Sequence, residues 1–578
     1  MHFFSVLVCV SFALLASADW STEIWDAIVV GAGPAGIIVA SRLAEAGVKT
    51  LLLEAGGPSY GVTGGDLDSR RPSWLSDTNL TRVDVPGLYK SIFATSSNLT
   101  CTGMVNAFGG CTVGGSSAIN AGLFFEPPAS DYDLYFPRGW KSAHMKNATR
   151  RLYSMQPSTN ITSQDGIRYL QSGYDAARQW LVEGLGYKEV DINAHADDKK
   201  EVFGHPIFDY ANGQRGGPVT TYLQSALAKP NFHLQTGAKV KRVEREAHMG
   251  EWRATGVTVV VDNVEKVVNV SKGYSIQKGR VVLSAGALQS PALLMFSGIG
   301  PNETLSVLHA AGKLAPNMQP DHWINNSHVG GGLFDNPNTF IELRGDASVQ
   351  SYTYSYENPP TKDKDLYLQS RSGPYSFASE TSVFWDILPH PDGRVVGFQG
   401  TIDSSGYGDE FQGDHDITLN IYGTSGLKSR GRVVLDSNFV PGPDGNVYYS
   451  DPQDAKDIAS FIYKIFQGLP ASGLTPLNLP QNSTQAEIER YITTGSAYAR
   501  GQTNHWSSSC KMVDSQDRNS TTWSGCVAAD TQAMGVSNIH VVDGSIVPPL
   551  TVNPQFGIMV VAEEGADWVA SKFGKSLN

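Results

Sequence analysis

The start of the chain carries its clearest pattern of apolar and polar positions. An apolar run over Asp26–Val30 predicts a buried strand, Ile37–Ala46 predicts a helix, and Lys49–Glu54 predicts a second strand that ends in a carboxylate. A strand, a helix and a second strand in this order are typical of a parallel sheet with helices on its faces. The pattern therefore predicts an α/β fold for this part of the chain.

Strand-like and helical patterns return at intervals along the rest of the chain. Residues 58–105 are rich in turn-forming and polar residues and are predicted to be loop, and residues 302–450 are predicted to be irregular with short β-like pieces. The further predicted strands are Phe232–Gln235, Val240–Val243, Ala254–Val261, Arg280–Ser284, Ile417–Tyr422, Arg432–Leu435 and Ile539–Val542. The further predicted helices are Asp454–Gln467 and Gly557–Phe573. This order predicts an α+β chain overall, in which a sheet domain is interleaved with a second, partly β domain.

Length and composition exclude some classes of protein. The chain has 578 residues, of which 41% are hydrophobic and 17% are charged, so it can bury a large core and is not of the disordered class. Its formal charge of −12, without basic runs, argues against nucleic acid as a partner. It has no Cys-x-x-Cys spacing typical of zinc sites, so no metal site is predicted.

The first 18 residues are predicted to be a signal peptide. Phe3–Leu15 is a mostly apolar stretch, and Ala16-Ser17-Ala18 is a small-residue cleavage site. A buried N-terminal helix is the alternative interpretation. No later apolar run reaches the ~18 residues that a membrane-spanning helix needs, so no membrane anchor is predicted. The protein is therefore expected to be secreted and extracellular.

Two further features of the sequence are typical of an exported protein. Cys101 and Cys111 form one local pair and Cys510 and Cys526 another, and their even number and close spacing predict two disulfides. Nine Asn-x-Ser/Thr sequons predict a glycoprotein. They begin at Asn79, Asn98, Asn147, Asn160, Asn269, Asn302, Asn325, Asn482 and Asn519.

A glycine-rich motif joins the first predicted strand to the first predicted helix. In Gly31-Ala-Gly33-Pro-Ala-Gly36, the first glycine permits a tight turn, the second lets a pyrophosphate approach the backbone, and the third lets helix and strand pack closely. The helix N-terminus then presents its free N–H groups to the phosphates. Glu54, 23 residues after Gly31, stands where a carboxylate can accept hydrogen bonds from ribose hydroxyls. The motif predicts a Rossmann-like dinucleotide site but does not distinguish FAD from NAD.

Later motifs resemble the signatures of the glucose-methanol-choline (GMC) oxidoreductases. The glycine-rich run Gly109–Gly122 (GGCTVGGSSAINAG) resembles the first signature of that family, and Gly286–Pro301 (GALQSPALLMFSGIGP) resembles the second. Other stretches that resemble the family are Ser429–Val433, Asn504-His505-Trp506, Val541–Ser545 and Asn553-Pro554-Gln555. These stretches follow the family's order over nearly the whole chain.

The resemblance implies how the chain is divided. It implies an FAD-binding domain over residues 24–301, a mainly substrate-binding domain over residues 302–534, and a return segment over residues 535–578 that completes the FAD domain and the active site. Within the family, stretches such as Gly217–Leu223 and Asn336-Pro337 are similar to the flavin domain of fungal cellobiose dehydrogenase. Asp403 is a departure, because near this point that domain is expected to carry an arginine that holds the distal sugar.

The resemblance also implies the roles of four residues in alcohol oxidation. His505 matches the family's catalytic histidine, and histidine suits a general base because its ordinary pKa is close to neutrality. Asn553 matches the partner that hydrogen-bonds and orients the substrate hydroxyl. Asn504 and Thr503 are expected on the substrate side of the flavin, with a structural role as the alternative for both.

Further residues are expected to hold FAD. The glycines of the first motif and Glu54 would bind the ADP half of FAD. The other expected contacts are Gly114, Gly115, Ser116 and Asn120 at the ribityl chain and ring, Val240 at the adenine, Asp543 and Gly544 at the pyrophosphate, and Pro554 and Gln555 at the pyrimidine edge. For Val240 a packed core valine is the alternative. Ile119 stands where some relatives attach FAD through a histidine, so FAD is expected to be non-covalent.

The expected function is that of a secreted oxidoreductase for a sugar or another alcohol. Its electrons would pass to an external acceptor, which is oxygen, a quinone or a redox protein. An aryl-alcohol or secondary-metabolite alcohol oxidase or dehydrogenase of the same fold is the first alternative. A flavin-retaining hydroxynitrile lyase and a binding protein with an inactive flavin site are the others, and the presence of both His505 and Asn553 argues against the last.

Overall fold

The computed structural model describes residues 19–65, 71–94, 98–101, 103–272, 279–445, 447–519 and 523–577. The predicted signal peptide, residues 1–18, lies outside these ranges. None of the helices within them is long and apolar enough to cross a membrane.

A five-stranded parallel sheet is the first of the two main sheets. Its strands lie in the order Ile539–Val541, Arg280–Leu283, Ala27–Val30, Thr50–Leu53 and Phe232–Gln235. The three central strands are buried at every position, as expected for parallel strands covered on both faces. Each strand lies within two residues of its predicted bounds, so the predicted α/β fold with a Rossmann-like domain is confirmed.

Two helices beside the parallel sheet come from distant parts of the sequence. The helix Pro34–Glu45 follows the strand Ala27–Val30, and the helix Gln555–Ser571 packs against the helix Pro34–Glu45. Arg42 of the first helix and Glu563 of the second form a buried ion pair, with an N–O distance of 2.8 Å. The segment that follows residue 538 therefore adds both a strand and a helix to the part of the fold that begins at residue 27.

The second main sheet, here called the mixed sheet, has eight strands. In order across the sheet they are Thr475–Pro476, Pro337–Arg344, Asp416–Gly423, Val395–Asp403, Glu380–Pro389, Val202–Gly204 and Lys188–Glu189, with Ala499–Gln502 also paired to Pro337–Arg344. Apart from the parallel pair of its last two strands, the pairs are antiparallel. Within residues 302–450 the predicted strand Ile417–Tyr422 is confirmed as part of Asp416–Gly423. The prediction that the rest is irregular was wrong, because the stretch holds the four longest strands of the mixed sheet.

The two faces of the mixed sheet differ in chemistry. One face carries Phe384, Phe398, Ile402 and Leu419, which pack in an apolar core with the helix Pro452–Phe466. The other face, here called the polar face, carries polar and aromatic side chains at paired positions of four neighbouring strands. They are Asn338, Phe340, Glu342, Glu380, Gln399, Thr401, Asp403, Thr418, Asn420 and Tyr422.

The remaining elements complete the layers around these sheets. A four-stranded sheet has the order Ile24–Trp25, Val264–Val270, Glu251–Val261 and Lys239–His248. The other helices are Ser91–Ala94, Ala129–Tyr135, Ser142–Met155, Ser172–Arg178, Tyr222–Leu227, Gly286–Phe296, Asn302–Ala310, Thr361–Ser370 and Gln485–Thr493. Gly331–Leu333, Gly431–Leu435 and Pro441–Pro443 form a three-stranded sheet. Three short strand pairs are Tyr210–Ala211 with Gln214–Arg215, Ile299–Gly300 with Ile324–Asn325, and Met512–Val513 with Val527–Ala528. The predicted loop 58–105 contains the helix Ser91–Ala94 and single 3-10 turns.

Both predicted disulfides are present. Cys101 pairs with Cys111 and Cys510 with Cys526, with Cα–Cα distances of 4.8 and 4.9 Å. Intact protein in denaturant should therefore show no thiol from these four cysteines in a colorimetric titration. Reduction should lower the free energy of unfolding by roughly 2–3 kcal/mol for each bridge, since each closes a short loop. Two or more titratable thiols in fresh protein from which residues 1–18 have been removed would contradict this pairing.

Candidate active site

The first glycine motif forms a tight turn between strand and helix. A Cβ atom at Gly31 would lie 2.5 Å from the carbonyl oxygen of Ser284, and one at Gly36 would lie 1.9 Å from the carbonyl oxygen of Gly31. Gly31 also has a φ of +102°, which favours glycine. At Gly33, by contrast, a Cβ would meet no described atom within 4 Å. Packing thus requires the outer two glycines, while the middle one leaves open space at the helix N-terminus.

The second glycine-rich run lies against the first. Gly114 donates its N–H to the carbonyl of Ala32 at 2.8 Å, and a Cβ at Gly115 would lie 2.8 Å from the Cα of Gly33. The Glu54 carboxylate accepts the N–H of Ala32 at 2.8 Å, and burial raises its pKa. The two predicted glycine-rich elements and the predicted carboxylate therefore meet around one helix N-terminus, a geometry suited to a dinucleotide.

Asp543 joins the return segment to the second signature. One of its oxygens accepts the N–H of Gly286 and the hydroxyl of Ser290, and the other accepts the N–H and hydroxyl of Ser545. Burial raises the pKa of Asp543. Gly544 follows it, and a Cβ atom there would lie 3.2 Å from the carbonyl oxygen of Trp506. Asp543 therefore positions backbone at this end of the sheet with four hydrogen bonds.

Two more of the predicted flavin contacts belong to a buried hydrogen-bond network. Asn120 donates to the side-chain oxygen of Gln555, and the amide N–H of Gln555 in turn donates to Asp209 at 2.7 Å. Arg215 donates to Asn120 at 3.1 Å, and burial holds the pKa of Asp209 well above its ordinary value. Pro554 precedes the helix Gln555–Ser571. The network therefore links the second glycine-rich run to the start of the last helix.

The remaining predicted cofactor contacts lie outside this network. Ser116 is exposed, and its hydroxyl accepts the N–H of Gly110 at 3.2 Å. Val240 is buried in the strand Lys239–His248, opposite Val259. Ile119 is buried in the core. The packing of Val240 fits both the predicted adenine contact and the core alternative.

His505 is held from three sides. Its backbone N–H donates to Asp335 at 2.6 Å, and its Nδ1 lies 3.0 Å from the side-chain oxygen of Asn336. The ring of Tyr422 meets the imidazole edge to face, with centroids 5.8 Å apart. Its Nε2 makes no hydrogen bond to any described residue, and burial lowers the pKa of His505 to about 4. The imidazole is thus neutral at pH 7, with one nitrogen free to accept a proton.

Asn553 is oriented by a side chain of the polar face. Gln399 donates its amide N–H to the side-chain oxygen of Asn553 and accepts the backbone N–H of the same residue at 3.2 Å. Gln399 lies directly opposite Tyr422 in the mixed sheet, and Tyr422 contacts His505. The paired positions Gln399 and Tyr422 therefore bring the two predicted catalytic residues to the same face of one sheet.

Thr503 and Asn504 use their side chains mainly within the protein. The hydroxyl of Thr503 lies 2.7 Å from Asp335 and from the carbonyl of Asn336. The side-chain oxygen of Asn504 accepts the N–H of Phe108 at 2.9 Å, and Asn504 has a left-handed φ of 59°. These contacts fit the structural alternative, and substrate contact by either residue remains a prediction.

Comparison with known protein families decides what this site belongs to. The N-terminal family model described as GMC oxidoreductase matches residues 28–338, and the C-terminal model of the same description matches residues 428–562. The chain belongs to the GMC oxidoreductase family. Members of this family are FAD-dependent dehydrogenases and oxidases that act on alcohol groups, so this chain is an FAD-dependent oxidoreductase of that kind.

Individual GMC proteins match over almost their whole length. The mitochondrial choline dehydrogenase of Mus musculus is 27% identical, and the match covers 96% of this chain and 90% of the choline dehydrogenase. Glucose dehydrogenase [FAD, quinone] of Drosophila pseudoobscura pseudoobscura is 24% identical, and the match covers 96% of this chain and 88% of the glucose dehydrogenase. A crystal structure of formate oxidase shares the fold, with a TM-score of 0.71, 20% identity and coverage of 95% and 98%.

The residues of this GMC chain fit FAD. Open space at Gly33, the free N–H groups of the helix that follows and the carboxylate of Glu54 suit the ADP half of the cofactor. Within the described part of the chain no group of three or more His, Cys, Asp or Glu side chains could hold a metal ion.

Several residues of the site carried no assigned role in the sequence. They are Asp209, Asp335, Asn336, Gln399 and Tyr422. Asn336-Pro337 was visible in the sequence as a motif of the family resemblance, as was the Asn-His-Trp motif. Together these two motifs could have indicated that Asn336 lies near His505. Gln399 and Tyr422 lie inside strands, and no local pattern distinguishes a strand residue that faces a site.

Proposed function

We propose that the protein oxidises a hydroxyl group of a sugar or another polyhydroxylated alcohol, with His505 as the general base and Asn553 as the residue that orients the hydroxyl. The observation that carries this proposal is that His505 contacts Tyr422 and Asn553 contacts Gln399, two residues paired on the polar face. The free Nε2 of His505 supplies the proton acceptor. The Asn553 side-chain oxygen is occupied by Gln399, so its amide N–H is the group available to the substrate oxygen.

The reaction divides between the cofactor and these side chains. Bound FAD would be held by the two glycine-rich elements and Glu54, and it would supply the oxidant as an acceptor of hydride. As the substrate C–H bond breaks, the hydroxyl proton moves to Nε2 of His505 and the carbon–oxygen single bond becomes a carbonyl. Asn553 donates a hydrogen bond to the reacting oxygen and holds the hydroxyl towards the base. The product is an aldehyde, ketone or lactone, according to the substrate carbon.

The polar face supports a substrate with several hydroxyl groups. Four buried acceptor oxygens along it have no hydrogen-bond partner among the described residues. They belong to Asn338, Glu342, Glu380 and Asn420. Residues two positions apart on one strand are roughly 7 Å apart. Measured along the strands from the level of Tyr422, these acceptors therefore extend over the length of one or two sugar rings. These four oxygens are covered by neighbouring protein atoms, so a saccharide hydroxyl would reach them only after a side-chain rotation.

The position of Asp403 bears on the substrate as well. Where the resemblance implied an arginine, the Asp403 carboxylate forms an ion pair with Lys90 and accepts the hydroxyl of Ser379. Lys90, which comes from another segment of the chain, therefore places a cation beside this position. The similarity to the flavin domain of cellobiose dehydrogenase remains a prediction, and the glucose dehydrogenase relative supports a sugar independently.

Anaerobic flavin bleaching against a panel of substrates tests the proposal. Mono- and disaccharides should bleach the flavin of the holoenzyme, and simple aryl alcohols should do so less efficiently. Bleaching by aryl alcohols alone would favour the aryl-alcohol alternative. Cleavage of a hydroxynitrile with the flavin remaining oxidised would favour the lyase. Measuring reoxidation by oxygen and by a quinone would then identify the electron acceptor.

The pH dependence of flavin reduction should report His505. The base acts when it is neutral, and burial lowers its pKa to about 4, so the rate should be level at neutral pH and fall only as the pH decreases through about 4. An exposed histidine would give a midpoint near ~6.5, as the sequence alone suggests. Stopped-flow reduction at saturating substrate measures the midpoint, and a value near 6.5 would contradict the buried environment.

FAD should be released intact when the protein is denatured. Ile119 occupies the position at which some relatives carry a covalent histidine, and isoleucine cannot form such a link. Acid or heat treatment followed by filtration should therefore place the yellow chromophore in the filtrate, with the mass of free FAD. Flavin that stays on the precipitated chain would show that the attachment is covalent.

Secretion is also proposed, on the signal peptide and the sequons. Seven of the nine sequon asparagines are exposed, Asn160 is half-buried, and the side chain of Asn519 lies outside the described residues. Exposure makes seven sites accessible to a glycosyltransferase. Expression in a eukaryotic host should yield protein in the medium whose mass falls on treatment with an endoglycosidase.

A further inference from the structure

Asn336 holds the His505 imidazole through one side-chain oxygen. This oxygen lies 3.0 Å from Nδ1, while the Asn336 amide N–H donates to the backbone carbonyl of Gly423 at 2.8 Å. A backbone carbonyl can only accept, so the amide nitrogen must face Gly423. The reverse orientation would place two acceptor oxygens against each other. The network therefore fixes the side-chain oxygen of Asn336 towards the imidazole.

An acceptor at this position decides which imidazole nitrogen carries the proton. A side-chain amide oxygen can only accept, so the 3.0 Å contact is a hydrogen bond only when Nδ1 carries the hydrogen. The neutral ring then has its lone pair on Nε2. We infer that Asn336 is a positioning residue that sets the tautomer of His505 and makes Nε2 the base. This inference rests on the proposed function.

Asp335 provides the frame that keeps this contact in register. Its buried carboxylate accepts the backbone N–H of His505, the N–H of Asn504 and the hydroxyl of Thr503, at 2.6, 3.1 and 2.7 Å. It also accepts the hydroxyl of Tyr448. The segment Thr503–His505 is thus tied to the residue directly before Asn336, and the imidazole and the amide cannot move independently.

The tautomer can be observed without turnover. Holoenzyme labelled with ¹⁵N-histidine should show, in a two-bond ¹H–¹⁵N spectrum, an Nδ1–H signal that is lost in His505→Gln. Histidines whose Nδ1 faces a backbone carbonyl, such as His415 at Val349, should keep their own Nδ1–H signals in that variant. In Asn336→Leu, which removes the acceptor at similar volume, the His505 signal should lose the Nδ1–H pattern. An Nε2–H pattern for His505 in the wild-type protein would overturn the inference directly, whatever the variants do.

Kinetics supply the second readout. Asn336→Leu should reduce flavin by substrate about 10- to 100-fold more slowly at saturation, since much of the general-base contribution is lost, with little change in the substrate concentration needed for half-saturation. Asn336→Asp keeps an acceptor for Nδ1–H and should retain most of the rate. Its carboxylate should raise the pH midpoint of reduction, because a nearby negative charge favours the protonated imidazole.

A matched control separates this role from loss of packing. Asn326 is also buried, and its amide donates to the carbonyl of Gly525 at 3.1 Å and accepts the N–H of His328 at 3.0 Å. Asn326→Leu should cost similar stability and leave the rate and the His505 signal unchanged. If Asn336→Leu keeps the wild-type rate and tautomer while His505→Gln is inactive, only the inference fails. If His505→Gln is fully active, the proposed base fails instead.

Discussion

His505→Ala should reduce its flavin with substrate at least ~10²-fold more slowly than wild type at neutral pH, the lower end of a general base's contribution. The loss arises because alanine lacks the Nε2 atom that is proposed to accept the hydroxyl proton. It should shrink as the pH rises, since hydroxide or a more ionised alcohol then partly replaces the base. Anaerobic stopped-flow reduction over the neutral and alkaline range measures both effects.

The same variant should still fold and bind FAD. The imidazole contacts Asn336 and Tyr422, not the glycine-rich elements. His390→Ala is a matched control, since His390 is also half-buried and hydrogen-bonded, to Asp457 at 3.0 Å, and should keep the wild-type rate. Asn553→Ala should lose less than His505→Ala, because it orients the hydroxyl and takes no proton. A wild-type rate in His505→Ala would mean that another residue is the base.

Gly33→Ala should fold and lose roughly 10- to 100-fold in affinity for FAD, because overlap with a bound group costs about 1–3 kcal/mol. The added methyl group meets no described protein atom within 4 Å, and Gly33 has an ordinary φ of −71°. Only a group bound at the helix N-terminus would be displaced. The FAD content after dialysis and the affinity measured by flavin fluorescence quenching report the loss.

Substitutions at two other glycines serve as controls for this prediction. Gly495→Ala adds a methyl group in a similarly open position on the surface and should leave FAD affinity unchanged. Gly36→Ala places its methyl group 1.9 Å from the carbonyl oxygen of Gly31 and should disrupt the turn itself, lowering the yield of folded protein. Full FAD affinity in folded Gly33→Ala would show that the pyrophosphate lies elsewhere.

The parallel sheet could be predicted because its three central strands are mostly apolar and buried at every position. Ala27–Val30 and Arg280–Leu283 are buried on both faces, so short apolar runs between turn-forming residues indicate them directly. Only one strand of the mixed sheet, Ile417–Tyr422, was predicted, and the others escaped prediction for the opposite reason. The strands Pro337–Arg344 and Val395–Asp403 carry polar residues such as Glu342 and Gln399 that are buried. In a sequence, polar residues indicate positions exposed to solvent. The polarity of these two residues therefore gave no sign that they lie in buried strands beside the site.

The candidate site was predictable only as far as motifs extend. His505 and Asn553 follow from the family resemblance, and the structure places them together through Gln399 and Tyr422. The supporting residues are distant in sequence, with Asp335 170 positions from His505 and Gln399 154 positions from Asn553. No local pattern links such pairs, because strand pairing alone brings them together.

The position of Ile539–Val541 at the edge of the parallel sheet constrains how the chain can fold during synthesis. Arg280–Leu283 pairs with Ala27–Val30 on one side, but its other edge stays open until the ribosome has made the segment beyond residue 538. An open edge of a mostly apolar strand can pair with another nascent chain. Chains that terminate early would therefore lose Asn553 and also expose an aggregation-prone edge, so cells would clear them as misfolded protein.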